Sequence, residues 1–448
     1  MMDGAATPEE ILLAQGGGIE KSRPAAASNE ADDDPYADLV PETEQQTREE
    51  KEWEKYLQHD DRGQPVANLA NAALVLRRDE DMRNLLCYDE MLRHTILLRK
   101  VPKSKGGSAI YPRPMQDADV SAVQEWLQRN KLRRLGRETA QQAIDMVAGE
   151  RSTHPVRDYL KSLKWDNAKR LDTFLPIYFG TESTPYTRSI GRWFLIAMVA
   201  RIMRPGCKCD YMLVLEGEQG ARKSSACAIL AGKWFSDSLP DLHRNDGVRL
   251  SMHLRGKWVV EVAELSSIGK AEAGALKAFL TQTEERYLPK YGRNEVIEPR
   301  QCVFIGTTNK AAYLRDETGG RRFWPVKVGR VDTDALQRDR DQLFAEAATA
   351  FRRGDRWWPD TAFEKEHIKP QQELRFEDDA WETAIADWLF AQNKCTVAEV
   401  ARSALDFQTS RISTSDQRRI TFALERLGWR QGKRGHGGVR WWVRREDG

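Results

Sequence analysis

Two hydrophobic rhythms run along this chain. Short continuous apolar runs bounded by polar residues stand at Tyr211 to Leu215, Trp258 to Val262 and Cys302 to Ile305, a pattern that predicts strands buried on both faces. Elsewhere apolar residues recur every three or four positions. That spacing predicts helices over Asn68–Arg77, Asp81–Leu86 and Asp117–Ala148, and more helices through residues 151–205. Asp334–Arg353 reads as a charged amphipathic helix with Leu336, Leu343, Phe344, Ala347 and Ala350 on its apolar face. Thr283–Ile297 carries a Gly-Arg-Asn turn signal and reads as a hairpin, and Lys103–Ser108 as a loop. Near the C-terminus, Trp381–Gln392, Thr396–Leu405 (with a Thr N-cap) and Ser413–Gly428 read as helices. Two short strands about a glycine-rich basic loop follow, from Trp429 to Trp442. The fold class this predicts is α/β, without internal repeats.

At 448 residues the chain is too long for one compact core. Composition divides it into an acidic mobile tail over 1–60, an α-rich unit over 61–150, the strand-bearing region over 151–360, a linker over 361–380 and a last unit over 381–448. Net charge is only +2, but acids dominate the first sixty residues and arginines the last fifty. Six cysteines include Cys207 and Cys209, which lack the second ligand pair a zinc site needs. The N-terminus has no basic segment leading into an apolar one, and the run Phe194–Ala200 is far too short to span a bilayer. The expectation is a soluble, cytoplasmic protein in a reducing compartment.

Chemistry concentrates after the first buried run. Gly217-Glu-Gln-Gly220-Ala-Arg222-Lys223-Ser224-Ser225 joins a strand to a helix. A triphosphate needs backbone N–H groups around its oxygens, an ammonium at the β/γ-phosphates and a hydroxyl on Mg²⁺. Gly217 and Gly220 let the backbone approach, Lys223 is the candidate ammonium and Ser224 the candidate hydroxyl. The string departs from G-x-x-x-x-G-K-[ST] at Arg222, where a glycine's tolerance of positive φ is lost. Alone, it favours nucleotide binding only modestly over an ordinary strand–turn–helix with a solvated lysine.

Downstream residues change that balance. The second strand carries Glu261 and ends at Glu264, whose place at the exit makes it the stronger candidate for activating water. The third ends in Thr307-Thr308-Asn309, an amide that suits a γ-phosphate or simply a turn. Gly319-Gly320-Arg321-Arg322-Phe323-Trp324 then pairs arginines with aromatics. Lys290, Tyr291 and Arg293 cluster at the hairpin tip, where a cation would neutralise phosphate.

With these motifs in order, and with His154-Pro155-Val156, Leu163 to Asp166, Arg170 to Asp172, Pro205-Gly206 and Tyr291-Gly292-Arg293 around them, the chain resembles the virulence-associated E proteins of prophages and mobile islands. The resemblance is strongest over about 150–360. It implies an AAA+ phosphate-loop core similar to superfamily 3 helicases, using ATP and Mg²⁺ in a homo-hexameric ring that moves or unwinds DNA during replication. Lys223 with Gly217, Gly220, Arg222, Ser224 and Ser225 would hold nucleotide, and Ser224 with Glu261 the metal. Glu264 with Glu261 would be the acidic motif, Asn309 the γ-phosphate sensor, and Arg322 or Arg321 a finger acting across the subunit interface. The hairpin would project into a central pore and grip single-stranded DNA.

Three helices followed by a basic hairpin predict a C-terminal winged helix. Arg418, Arg419, Lys433, Arg434 and Arg440 would then face duplex phosphates and base edges. A winged helix that docks protein is the alternative. Two other functions remain open at this point: a nucleotide-gated replication initiator that does not unwind processively, and a packaging or defence ATPase stimulated by a protein partner. A primase or other replication protein is an expected partner of the helicase.

Overall fold

The structure, a computed structural model, describes residues 52–104, 110–242, 247–265, 270–289, 294–314, 320–376, 380–434 and 440–444. Residues 1–51 of the expected acidic tail, the tip of the 283–297 hairpin and most of the Lys103–Ser108 loop lie outside them. The chain divides into two compact units, residues 1–159 and 160–448.

The first unit differs from the α-rich expectation by carrying a sheet. Strands β1 (Leu86–Asp89), β2 (His94–Leu97), β3 (Arg113–Pro114) and β4 (Ser152–Thr153) order as β3-β2-β1-β4, with β1 antiparallel to β2 and parallel to β4. Helices α1 (Leu69–Arg78), α2 (Asp117–Asn130) and α3 (Arg137–Gly149) contribute apolar faces to its core. Trp53 and Leu57 belong to that core, so the folded unit reaches into the stretch assigned to the tail. Asp81–Leu86 is a turn leading into β1 rather than a helix. Asp79 turns extended at the end of α1, its carboxylate accepts from the Asp81 N–H at 3.0 Å, and Asn84 takes a left-handed conformation (φ 59°). Local side-chain-to-backbone bonds outcompete helix propagation there.

The second unit is built on a wholly parallel sheet of β5 (Met212–Glu216), β6 (Phe235–Ser236), β7 (Val259–Val262), β10 (Val303–Thr308) and β11 (Phe323–Lys327), ordered β11-β5-β10-β7-β6. All five residues of β5 and all six of β10 are buried, as a sheet covered on both faces requires. Helices α4 (Phe174–Phe179), α5 (Pro185–Met203), α6 (Lys223–Ala231) and α9 (Thr333–Arg352) accompany it, and Trp258 packs on Phe344 of α9 at 4.7 Å. Leu254 of α7 (Gly247–Leu254) and Leu276, Phe279 and Leu280 of α8 (Lys270–Leu280) join Met212, Val214, Val260, Val262 and Phe304 in a separate core cluster. Strands β8 (Glu284–Tyr287) and β9 (Val296–Pro299) form the expected antiparallel hairpin.

After a helical segment of three pieces (Thr361–Phe363, Glu364–Ile368 and Lys369–Glu373), residues 380–444 gather around their own core. Helices α10 (Ala380–Leu389), α11 (Val397–Ser403) and α12 (Thr414–Arg426) precede β13 (Trp429–Arg434) and β14 (Arg440–Arg444). A short strand, β12 (Lys394–Cys395), adds to the hairpin in the order β12-β14-β13. Thr396 and Ser413 cap α11 and α12 through reciprocal capping boxes.

Candidate functional site

The parallel sheet sets the site by register. β10 lies between β5 and β7, pairing Thr308 with Glu216 and Ile305 with Glu261. The C-terminal ends of β5 and β10 and the Glu261 position of β7 therefore open on one edge of the sheet, where a crevice forms in folds of this kind. The loop Gly217–Arg222 leaves β5 at that edge and enters α6.

Two backbone demands shape the loop. A Cβ on Gly217 would meet Val328 Cγ2 at 2.9 Å, so any larger residue there would force Val328 to shift. Gly220 has φ +84°, open to glycine at little cost. Arg222 also takes the left-handed region, at φ 59° and ψ 26°, although it is not glycine. The expected loss of positive φ at this position is therefore corrected: the arginine adopts it, at a cost of about 1–2 kcal/mol. Its Nη1 donates to Thr333 Oγ1 at 3.1 Å, a bond that offsets part of this strain.

The side chains converge as follows. Lys223 Nζ donates to the carbonyl oxygens of Gly217 and Glu218, both at 2.8 Å, so the ammonium sits inside the loop's curve. Burial pushes its pKa down, and the charge of Glu261 opposes that shift. Ser224 Oγ donates to Glu261 Oε1 at 2.7 Å, and Thr307 Oγ1 donates to the same oxygen at 2.6 Å. Glu261 is 1% exposed, and its second oxygen, Oε2, is buried without a hydrogen-bond partner. A buried carboxylate oxygen left unsatisfied costs free energy, which a cation could recover. The first N–H groups of α6 lack intrahelical acceptors by helix geometry and suit an anion.

This chemistry fits a phosphate chain with a hard divalent cation. Among the described residues no group of three or more His, Cys, Asp or Glu side chains could hold a metal ion. Mg²⁺ needs no such cage, being held by one or two protein oxygens, water and substrate phosphates. Ser224 and Glu261 could supply those oxygens.

Other expected residues fall at varied distances from this centre. Glu264 is exposed at φ 50° past the end of β7, and it is Glu261 that reaches Ser224. Asn309 is exposed immediately after β10, and Ser225 is exposed on the first turn of α6. Arg321 is exposed, while Arg322 is half-buried with its Nε lacking a partner. Both precede β11, and Phe323 pairs with Met212 at the start of β5. Met212 stands five residues before Gly217, so about 16 Å or more of strand separates the arginine pair from the Gly217–Arg222 loop along the sheet. They stand at the edge opposite their own chain's loop.

Sequence reasoning missed Thr307, which looked like part of a turn. It also missed the hairpin's fastening. Glu285, Tyr287 and Glu298 lie on the buried face of β8–β9. Arg300 Nε donates to Glu285 at 2.8 Å, Ser251 Oγ to Glu285 at 3.0 Å and Arg255 Nη2 to Glu298 at 2.5 Å. Lys290, Tyr291 and Arg293 lie outside the described residues. In the C-terminal unit Arg418 and Arg440 are exposed, while Arg419 stacks over Trp381 at 3.7 Å. Lys433 and Arg434 are on β13, with Arg434 paired to Arg440.

A family model described as the virulence-associated protein E-like domain matches residues 160–377. Those residues are a virulence-associated protein E-like domain. The matched residues include the parallel sheet, the Gly217–Arg222 loop, Glu261 and the arginine pair. None of the curated proteins compared matches the chain. Among solved structures, the chain is similar to the apo NrS-1 C-terminal region in its A form (residues 305–718), with 12% identity, 80% of this chain and 96% of that one covered, and a TM-score of 0.40. A second A-form structure of that region gives 12% identity, the same coverages and a TM-score of 0.43. Likeness at this level carries no argument about the site. No helix among the described residues is long and apolar enough to cross a membrane.

Proposed function

We propose that the virulence-associated protein E-like domain is an AAA+ ATPase of the superfamily 3 type. On this reading it works as a homo-hexameric ring that unwinds or translocates DNA in the replication of a prophage or mobile element. The observation that carries it is the meeting of Lys223, Ser224, Thr307 and Glu261 at one sheet edge, with one oxygen of a buried carboxylate left over.

Mg²⁺, when bound, supplies positive charge against the β/γ-phosphate oxygens. The chain's own residues do the rest. Lys223 exchanges the carbonyls of Gly217 and Glu218 for phosphate, its present partners marking where an ammonium is stable. Ser224 and Glu261 would hold the cation, with Thr307 keeping Glu261 in place through its hydroxyl. On this reading Glu264, at the strand exit, takes a proton from water, and Asn309 orients it. Arg322, with Arg321, serves a neighbouring subunit's triphosphate, since both lie across the sheet from their own loop. Residues 381–448 act as a winged helix on duplex DNA through Arg418 and Arg440.

The test is strand displacement on forked DNA by the purified full chain with ATP and Mg²⁺. ATP-dependent unwinding lost in Lys223→Ala is the expected result. ATP-dependent DNA binding without displacement would replace the helicase by an initiator. Turnover that ignores DNA and answers only to a protein partner would move the protein to the packaging or defence class.

A further inference from the structure

The residue just ahead of the phosphate loop is a buried acid with a built set of partners. Glu216 ends β5 and is 5% exposed. Its carboxylate accepts from Tyr313 Oη at 2.9 Å and from Arg375 through Nε and Nη2, each at 2.9 Å. These partners come from distant parts of the chain. Tyr313 follows the exit of β10, four residues past Asn309, and Arg375 follows the helical piece Lys369–Glu373. Backbone bonds lock the two together: the N–H groups of Tyr313 and Leu314 donate to the Arg375 carbonyl at 3.0 and 2.9 Å. Gln372 Nε2 donates to the Phe323 carbonyl at 2.8 Å, tying the same strap to β11. Burial, then the Glu216 charge, raises the Tyr313 hydroxyl well above the usual tyrosine range, so it stays a donor.

A bidentate arginine–carboxylate pair is directional, and taking away one member strands the other without water. Arg375 thus fixes the side chain of Glu216, the residue that enters the loop. Gly217 and Glu218 follow it directly in the chain, and their carbonyls are the two that hold Lys223. The placement of Arg375 and that of the Lys223 ammonium are therefore linked through three consecutive residues.

We infer that Arg375 is a positioning residue for the phosphate loop, acting through Glu216 to make triphosphate affinity depend on where the 369–376 strap sits. This rests on the nucleotide-binding reading above. Arg375 itself need touch no nucleotide.

The experiment uses the full chain with MgATP and measures KM, kcat and the thermal midpoint together. Arg375→Met should raise KM about tenfold with kcat at saturating ATP little changed, the pattern of lost ground-state binding. Arg375→Lys, which keeps the charge but not the fork, should recover part of that shift. In the double variant Glu216→Gln with Arg375→Met, the KM rise should be no larger than in Arg375→Met alone, because both act through one contact. A lower thermal midpoint with wild-type KM in Arg375→Met and Arg375→Lys would reduce the pair to a structural clamp and overturn the inference. Should Arg375→Met fail to fold, Arg375→Lys and Tyr313→Phe carry the same comparison, and unshifted KM in both overturns it. Two failures are distinguishable. A wild-type chain that binds no MgATP overturns the nucleotide reading and this inference with it. A wild-type chain that binds, a Lys223→Ala chain that does not, and Arg375 variants that bind as wild type overturn the inference alone.

Discussion

The central sheet and the β8–β9 hairpin lie in the same unit and obey opposite rules. In the sheet, β5 and β10 bury every residue, and their polar chemistry is confined to the ends. In the hairpin the buried face carries Glu285, Tyr287 and Glu298, while Leu288 and Ile297 stand outside at 56% and 48% exposed. One is held by apolar contact, which is nondirectional and tolerant of similar shapes. The other is held by Arg300 and Arg255, which fix direction and register but leave a charge uncompensated if either partner is lost. The sheet under the Gly217–Arg222 loop is thus made by packing, whereas the β8–β9 hairpin is fastened by ion pairs.

The comparison can be broken first where packing hands over to chemistry. Glu261→Gln keeps its shape and an acceptor for Ser224 and Thr307 but loses the charge that would hold a cation. ATP turnover should fall about a hundredfold or more while the thermal midpoint barely moves; a comparable loss of both would make Glu261 a core residue only. Next comes stability. Arg300→Met strands the buried Glu285 and should cost about 3–5 kcal/mol in urea unfolding. Adding Glu285→Leu should recover most of it, since an apolar pair of similar volume is tolerated. Ile305→Ala in β10 should cost about 2–5 kcal/mol with no such single-partner rescue. If the double replacement fails to recover stability, the proposed contrast between the two regions is wrong.

Smaller effects sharpen the picture at the loop. Arg222→Gly relieves a left-handed non-glycine backbone but loses the bond to Thr333, so stability should stay within about 1 kcal/mol of wild type. Arg222→Val keeps the strain, loses the bond and should be clearly less stable by the same unfolding assay. The smallest effect concerns pH. Asp355, hydrogen-bonded by Arg353 and then Arg192, has its pKa pushed down from 3.8 to about 2. A depressed acid stabilises the fold fully above its unfolded value, and that contribution is lost as pH falls through the folded one. Asp355→Asn should therefore flatten the wild-type decline between about pH 4 and 2 and lower stability above pH 5 by a pH-independent amount.

Much of the domain was legible because its signals are local. The runs at 211–215, 258–262 and 302–305 became β5, β7 and β10, since continuous apolar segments of that length have few other ways to be buried. The loop between β5 and α6 followed from its own residues. Other features were hidden. Met82, Leu85 and Leu86 mimic helical spacing, yet Asp79 and Asn84 stop the helix through side-chain and backbone effects that periodicity does not weigh. Position along β7 put Glu264 ahead of Glu261 as the water-activating acid, but which acid reaches Ser224 depends on which face of β7 looks toward α6, and that acid is Glu261.

Local sequence, then, located three of the buried strands, the glycine-bearing loop between β5 and α6 and the capped starts of the C-terminal helices. Those are decided by residues within a few positions of one another. Tertiary structure alone decided that Thr307 shares an oxygen with Ser224, that Arg375 braces Glu216 and that Arg300 anchors Glu285. It also set the arginine pair at the edge of the sheet away from its own loop. The reason is the same in each case: strand order and register bring together groups far apart in the chain, and no periodicity along one segment records which segment will lie beside it.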